Sequence, residues 1–338
     1  MFDFRSDTVT KPTPAMREAM AKAEVGDDVF GEDPTVNKLQ EVVAWKVKKE
    51  AGLFFPTGTM ANQVAIKCWT EPGDEILLER RSHIMNYEMA AFAVVAGVLP
   101  RVVEGERGII RVPALARELR PKTYYFSAPS LVCIENTTNM TGGTCYPAAV
   151  LKEIRAFTTE NGLSLHLDGA RLWNAAVAQK VEPFEIAQYA DSVMLSLSKG
   201  LAGPAGSVLC GPADFIEKAR KWRKLLGGGM RQSGVLAAAG LVGVMTMVDR
   251  LAEDHENART LAAGLQGTRF KADPPETNIV IIDVRETGKT SDFVIAQLKK
   301  AGILATPADA ARVRLITHND VGKDAVAGAV QAFRNLNV

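Results

Sequence analysis

The chain has 338 residues, of which 47% are hydrophobic and 23% charged, with a formal net charge of +1. That length suits one large α/β unit plus a smaller one, and the near-zero charge argues against a nucleic-acid or anionic-membrane footprint. The opening M-F-D-F-R-S-D-T lacks the apolar h-region of a signal peptide, and the most apolar region, residues 234–248, is too short to span a bilayer.

The first thirty residues hold many polar groups and Gly/Pro breaks: R-S-D-T-V-T-K-P-T-P, a short helix near 15–23, then V-G-D-D-V-F-G-E-D-P. Such a segment drapes over another surface rather than forming a core. Helical periodicity with a cap at Thr35 predicts a helix over 35–51. Next, L-F-F-P-T-G-T-M-A-N reads as a short strand, a turn and a helix start, a junction whose free N–H groups and dipole suit a phosphate. Apolar strands are then predicted near 75–78, 98–102, 131–135, 163–167, 192–196 and 206–210. They alternate with helices near 86–96, 147–161, 184–190 and 212–225. Strand–helix alternation argues for a largely parallel sheet covered on both faces, with ligands at the strand carboxyl ends. A long helix over 235–265 leads into T-N-I-V-I-I-D-V and V-R-L-I-T-H, which predicts a small α+β domain. The expected division is a large domain over 1–245, including an arm over 1–30, and a small one over 246–338. Cys68, Cys133, Cys145 and Cys210 lie far apart with no C-x-x-C, which points to reduced thiols in a cytoplasmic protein and to no metal-ligand signature.

The chemistry concentrates where L-S-L-H-L-D-G-A-R-L is followed about thirty residues on by L-S-L-S-K-G-L. Asp168 and Arg171 close one predicted strand and Lys199 the next. Pyridoxal phosphate needs an amine for a Schiff base and an anion that keeps the ring nitrogen protonated. Asp168 and Lys199 on one sheet rim meet both needs, although either residue alone reads better as a solvated loop charge.

These motifs, with R-S-D-T-V-T-K-P at 5–12, F-P-T-G-T-M-A-N at 55–62, W-R-K-L-L-G-G-G-M-R-Q-S-G at 222–234 and V-R-L-I-T-H at 313–318, give a sequence that resembles the L-threonine aldolases. The resemblance covers nearly the whole chain. It implies a pyridoxal-phosphate-dependent transferase-like large domain of fold type I, in the aspartate aminotransferase superfamily. It also implies cleavage of β-hydroxy-α-amino acids to glycine and an aldehyde, in a homotetramer built as a dimer of dimers. Lys199 then carries the cofactor, Asp168 pairs with the ring nitrogen and His83 stacks on the ring. Gly58 and Thr59 form the phosphate turn, and Arg171 lies near the phenolate and the substrate carboxylate. Ser6 and Arg314 hold that carboxylate. Arg231 contacts phosphate, in its own or a neighbouring subunit's site, while Lys224 in the same basic helix reads better as a solvated lysine. His83, directly or through water, is the leading base for the β-hydroxyl.

Three positions depart from the common family pattern. Tyr125 stands where many members have histidine, E-N-T-T-N at 135–139 replaces E-N-T-H-N, and Phe30 occupies a frequent tyrosine position. Tyrosine is a poor base at neutral pH, so Tyr125 is expected to hydrogen-bond the β-hydroxyl or wall the site, altering diastereomer preference and admitting phenylserine-type substrates. Two other enzyme or binding classes compete. A β-eliminating lyase uses the same platform, and a non-catalytic scaffold would have lost some of these charged groups. No G-x-G-x-x-G supports dinucleotide binding.

Overall fold

The computed structural model describes residues 1–121 and 123–337. Among them, thirteen strands run β1 (Phe2–Asp3), β2 (Ala51–Phe55), β3 (Glu75–Glu79), β4 (Leu99–Val103), β5 (Pro129–Glu135), β6 (Ser164–Gly169), β7 (Ser192–Ser196), β8 (Ser207–Gly211), β9 (Lys271–Ala272), β10 (Ile279–Asp283), β11 (Ile303–Leu304), β12 (Thr306–Asp309) and β13 (Arg312–Ile316). Seven form the main sheet in the order β2-β8-β7-β6-β5-β3-β4. From β4 to β7 all pairs are parallel, and β3 and β7 are buried along their whole length. Continuous apolar runs such as S-V-M-L-S are what a sheet covered on both faces requires. Because β8 is antiparallel to both β7 and β2, β2 points the same way as β7. The carboxyl ends of β2, β3, β5, β6 and β7 therefore share one rim.

A second, antiparallel sheet in the order β12-β13-β10-β9 packs against helices Leu251–Gly264, Ser291–Lys300 and Lys323–Arg334 around its own apolar cluster. The N-terminal arm does not simply lie on the large unit. Phe2 and Asp3 pair in parallel with Ile303 and Leu304, and Phe4 is buried in the C-terminal cluster.

Several expected helices have different limits. The 35–51 prediction is a helix over Pro34–Lys46 capped by Asp33, not Thr35, and residue 51 already belongs to β2. The helix expected over 86–96 is two short pieces, His83–Asn86 and a π-helical turn Phe92–Ala96. Met89 and Ala90 between them take φ of +55°, a conformation no regular helix contains. The 235–265 helix is likewise two, Gly234–Thr246 and Leu251–Gly264, meeting at 71°. Among the described residues no single helix is long and apolar enough to cross a membrane.

Candidate active site

A cavity of about 520 Å³ opens at the shared rim. Ser6, Gly58, Thr59, His83, Asp168, Arg171, Lys199 and Arg314, eight of the residues singled out in the sequence, line it together.

At one end lies a helix N-terminus. β2 runs into Thr57, whose hydroxyl accepts from the Met60 amide, and helix Gly58–Trp69 begins. The first amides of that helix, at Gly58 and Thr59, lack intrahelical acceptors and carry the positive end of the dipole. Gly58 sits against Met194, whose Cε would lie 3.2 Å from an added Cβ. Ser196 and Ser198 border the same cavity. Together these could hold a phosphate.

In the middle, Asp168 ends β6. Its buried carboxylate accepts from the Asn62 amide (2.9 Å) and from the Ala170 backbone N–H (3.1 Å). Lys199 follows β7, and Thr10 of the arm donates to its carbonyl (3.0 Å). Among the described residues nothing hydrogen-bonds the lysine amine. Burial first, and then the Arg171 charge, lower its pKa from the usual lysine value, so a larger fraction is the neutral, nucleophilic form.

His83 opens a short helix after β3. Its backbone N–H donates to Glu135 (2.6 Å), and its Nδ1 lies 2.8 Å from Glu88. Burial alone would lower the imidazole pKa. The Glu88 hydrogen bond and the charges of Asp168, Glu88 and Glu135 override it, and the net shift is upward. The Glu135 carboxyl is pushed up to about 7, by burial first and then by Asp168.

The far end is cationic. Asp7 grips Arg171 through two bonds, Nε to Oδ2 (2.8 Å) and Nη2 to Oδ1 (2.7 Å). Burial alone would raise the Asp7 carboxyl, but Arg171 outweighs it and holds the pKa at about 2. The remaining Arg171 Nη1 donates to Asn139 (3.3 Å), and Arg314 Nη1 donates to the same amide oxygen (2.7 Å). Arg314 Nε is buried without a partner, which leaves Arg314 the guanidinium with unspent donors. Ser6 stands nearby, capping the arm's first turn. The fork of Arg171, expected near substrate, is thus occupied by Asp7.

Three expected site residues lie outside the cavity of their own chain. Tyr125 is 65% exposed, in contact with the rings of Tyr124 and Phe126. Phe30 is 72% exposed in a single 3-10 turn. Arg231 pairs with Asp27 at 2.8 Å, with its side chain 54% exposed. Conversely, Asp7, Asn62, Glu88, Glu135 and Asn139 belong to the site without having been assigned roles. All but Glu88 stand inside quoted motifs, and their signal was a polar residue within a segment destined for burial.

The chain matches the β-eliminating lyase family over residues 3–287. It is 42% identical over 335 residues to the low specificity L-threonine aldolase of Escherichia coli K12, covering 99% of this chain and 98% of that one. It belongs to the L-threonine aldolase family. The fold agrees: a Leishmania major threonine aldolase superposes with a TM-score of 0.83 at 22% identity, covering 99% of each chain. The likeness extends to a Thermus thermophilus aspartate aminotransferase double mutant (TM-score 0.75, 16% identity, 98% of this chain and 91% of that one). The strand order explains the rim position of Asp168 and Lys199 directly, since β6 and β7 are parallel neighbours.

Proposed function

We propose that this chain is a pyridoxal-phosphate-dependent lyase that cleaves L-threonine, L-allo-threonine and related β-hydroxy-α-amino acids to glycine and an aldehyde. The observation that carries it is the single cavity into which Lys199, Asp168, His83 and Arg314 all open. The residues present fit the cofactor: an amine of lowered pKa, a buried carboxylate held as an acceptor, and a helix N-terminus walled by a glycine. Once bound through Lys199 Nζ, pyridoxal phosphate supplies the electron sink for bond cleavage.

The chain's own groups divide the remaining tasks. Gly58 and Thr59 amides bind the phosphate. Asp168 provides the fixed negative charge for the ring nitrogen. Arg314, through its unpartnered Nε, and Ser6 bind the substrate carboxylate and so fix the orientation of the Cα–Cβ bond. His83 Nε2 takes the β-hydroxyl proton, directly or through water. Asp7 neutralises Arg171, so the cationic end keeps one free guanidinium for one carboxylate.

The same reading includes a homotetramer, a dimer of dimers, in a cytoplasmic protein. Exposed Phe30, Tyr124 and Tyr125 support burial against a second copy, and free, mostly buried thiols suit a reducing compartment. Larger β-side chains of the phenylserine type belong to the proposed substrate range.

The test is product identity. Purified enzyme with added cofactor should release glycine and acetaldehyde from L-threonine, and benzaldehyde from phenylserine. Release of a 2-oxo acid and ammonia instead would place it among the eliminating lyases. Lys199→Ala should lose both the bound cofactor's visible absorbance and the turnover.

A further inference from the structure

Behind Asp168 runs a line of buried polar side chains that the reaction itself does not use. Trp69 Nε1 donates to Ser192 Oγ (2.8 Å), and Ser192 Oγ lies 2.9 Å from His166 Nδ1. His166 Nε2 lies 3.1 Å from Asn62 Oδ1. The Asn62 amide nitrogen then reaches two acids at once, Asp168 Oδ2 and Glu88 Oε1, each at 2.9 Å. Finally, Glu88 Oε1 meets His83 Nδ1. Asn62, Glu88, His166, Asp168 and Ser192 are all buried.

The directions follow from the two ends. An indole N–H can only donate, so Ser192 accepts from Trp69; two carboxylates accept, so the Asn62 nitrogen donates to them and its oxygen faces His166 Nε2. The ring's hydrogen then sits on Nε2, aimed at the Asn62 oxygen, and Nδ1 is an acceptor. A neutral ring is what the site favours, since burial brings the His166 pKa down to about 4. With its oxygen held there, Asn62 keeps both amide hydrogens on the acids. Glu88 also accepts from Gln63 at its other oxygen (2.5 Å). Donors thus cover both its oxygens, so it meets His83 as an acceptor, and His83 carries its hydrogen on Nδ1.

We infer that Asn62, oriented by the Trp69–Ser192–His166 chain, is a positioning residue that fixes the tautomer of His83 and leaves its Nε2 as the lone-pair nitrogen. This rests on the reading of His83 and Asp168 given above. It adds that the base is set by groups as distant as Trp69, and that Asn62 holds Glu88 and Asp168 in one arrangement. Without the chain, Asn62 Oδ1 loses its donor, and the amide is free to swing its hydrogens away from the two carboxylates. His83 would then lose its defined partner and gain a more strongly negative surrounding.

The experiment is nitrogen NMR of the holoenzyme labelled with 15N-histidine, where the four histidines are assigned by single substitution. His166 is expected as one Nε2–H tautomer that does not titrate between roughly pH 5 and 9, and neutral His83 as Nδ1–H. In His166→Leu the His83 midpoint, set by Glu88, Glu135, Asp168 and neighbouring Tyr87, should rise by about one pH unit. The pH midpoint of the cofactor's visible absorbance should move with it. His166→Gln, which keeps a donor for Asn62, should restore most of both shifts. An Nδ1–H or exchanging His166 in the wild type overturns the inference, as does a folded His166→Leu with both midpoints unmoved. Should His166→Leu fail to fold, the wild-type tautomers still decide. Glycine release is scored separately, so an enzyme of different activity with these tautomers, or an aldolase without them, tells the two readings apart.

Discussion

Arg171 and Arg314 donate to the same amide oxygen, yet their surroundings assign them different duties. Arg171 has its fork filled by a fully buried carboxylate, and Asp7→Asn would strand its charge. The expected cost is about 3–5 kcal/mol in urea unfolding, the range for breaking a buried pair from one side. Because the folded Asp7 pKa is depressed from 3.8 to about 2, the pair's contribution is fully present above pH 3.8. It is lost as pH falls through about 2. His83 shifts the opposite way: Glu88 and the neighbouring acids raise its pKa above 6.5. Under the proposed role of His83 as the base, which must be neutral, the acid limb of kcat/KM lies above pH 6.5, and Glu88→Gln should move that limb downward. Lys199 and Asp168 were legible in the sequence because each ends an apolar run with a charge that a core rejects. Asp7 was not, since its partner lies 164 positions away and nothing local marks the pairing.

At the scale of elements, the V-G-D-D-V-F-G-E-D-P and G-G-G-M-R-Q-S-G motifs prove to be one structure. Asp28 N–H donates to the Arg231 carbonyl (3.1 Å), and Arg231 returns to Asp27. Asp33 caps two helices at once, accepting from Val36 N–H (3.0 Å) and from Gly234 N–H (2.8 Å). An added Cβ at residue 234 would fall 2.4 Å from the Asp33 carboxylate, so only glycine lets the second helix approach. Two caps at about 1 kcal/mol each predict that Asp33→Ala destabilises by about 2 kcal/mol in thermal or urea unfolding. The main-sheet strands were readable from continuous apolar runs, and their predicted limits hold to within two residues. The helix breaks were not, because Met89 and Ala90 are ordinary helix formers that stand exposed at positive φ, with nothing in the local sequence marking a break. Asp33 was passed over for Thr35 because both are good caps, and only the second helix decides between them.

Across the whole molecule, the first ten residues tie the main-sheet part of the fold to the C-terminal part. Phe2 and Asp3 extend the C-terminal unit through Ile303 and Leu304, and Phe4 fills its core. Asp7 accepts from Arg171 and from Asn278 (3.2 Å), while Thr10 reaches the Lys199 carbonyl. Phe4→Ala should therefore cost about 3–5 kcal/mol and make the arm an early site of limited proteolysis. The alternation of strands and helices made the large sheet foreseeable. The arm's allegiance was hidden, because two-residue β1 and β11 are too short to carry a period.

Such an arm behaves as a linkage rather than as packing. A swing of the C-terminal sheet would drag β1, and the pull would arrive at Arg171 and at the backbone of Lys199 in the same stroke. The Lys199 backbone and the Arg171 guanidinium thus hang on one ten-residue segment, and a substitution that frees the arm should disturb both at once.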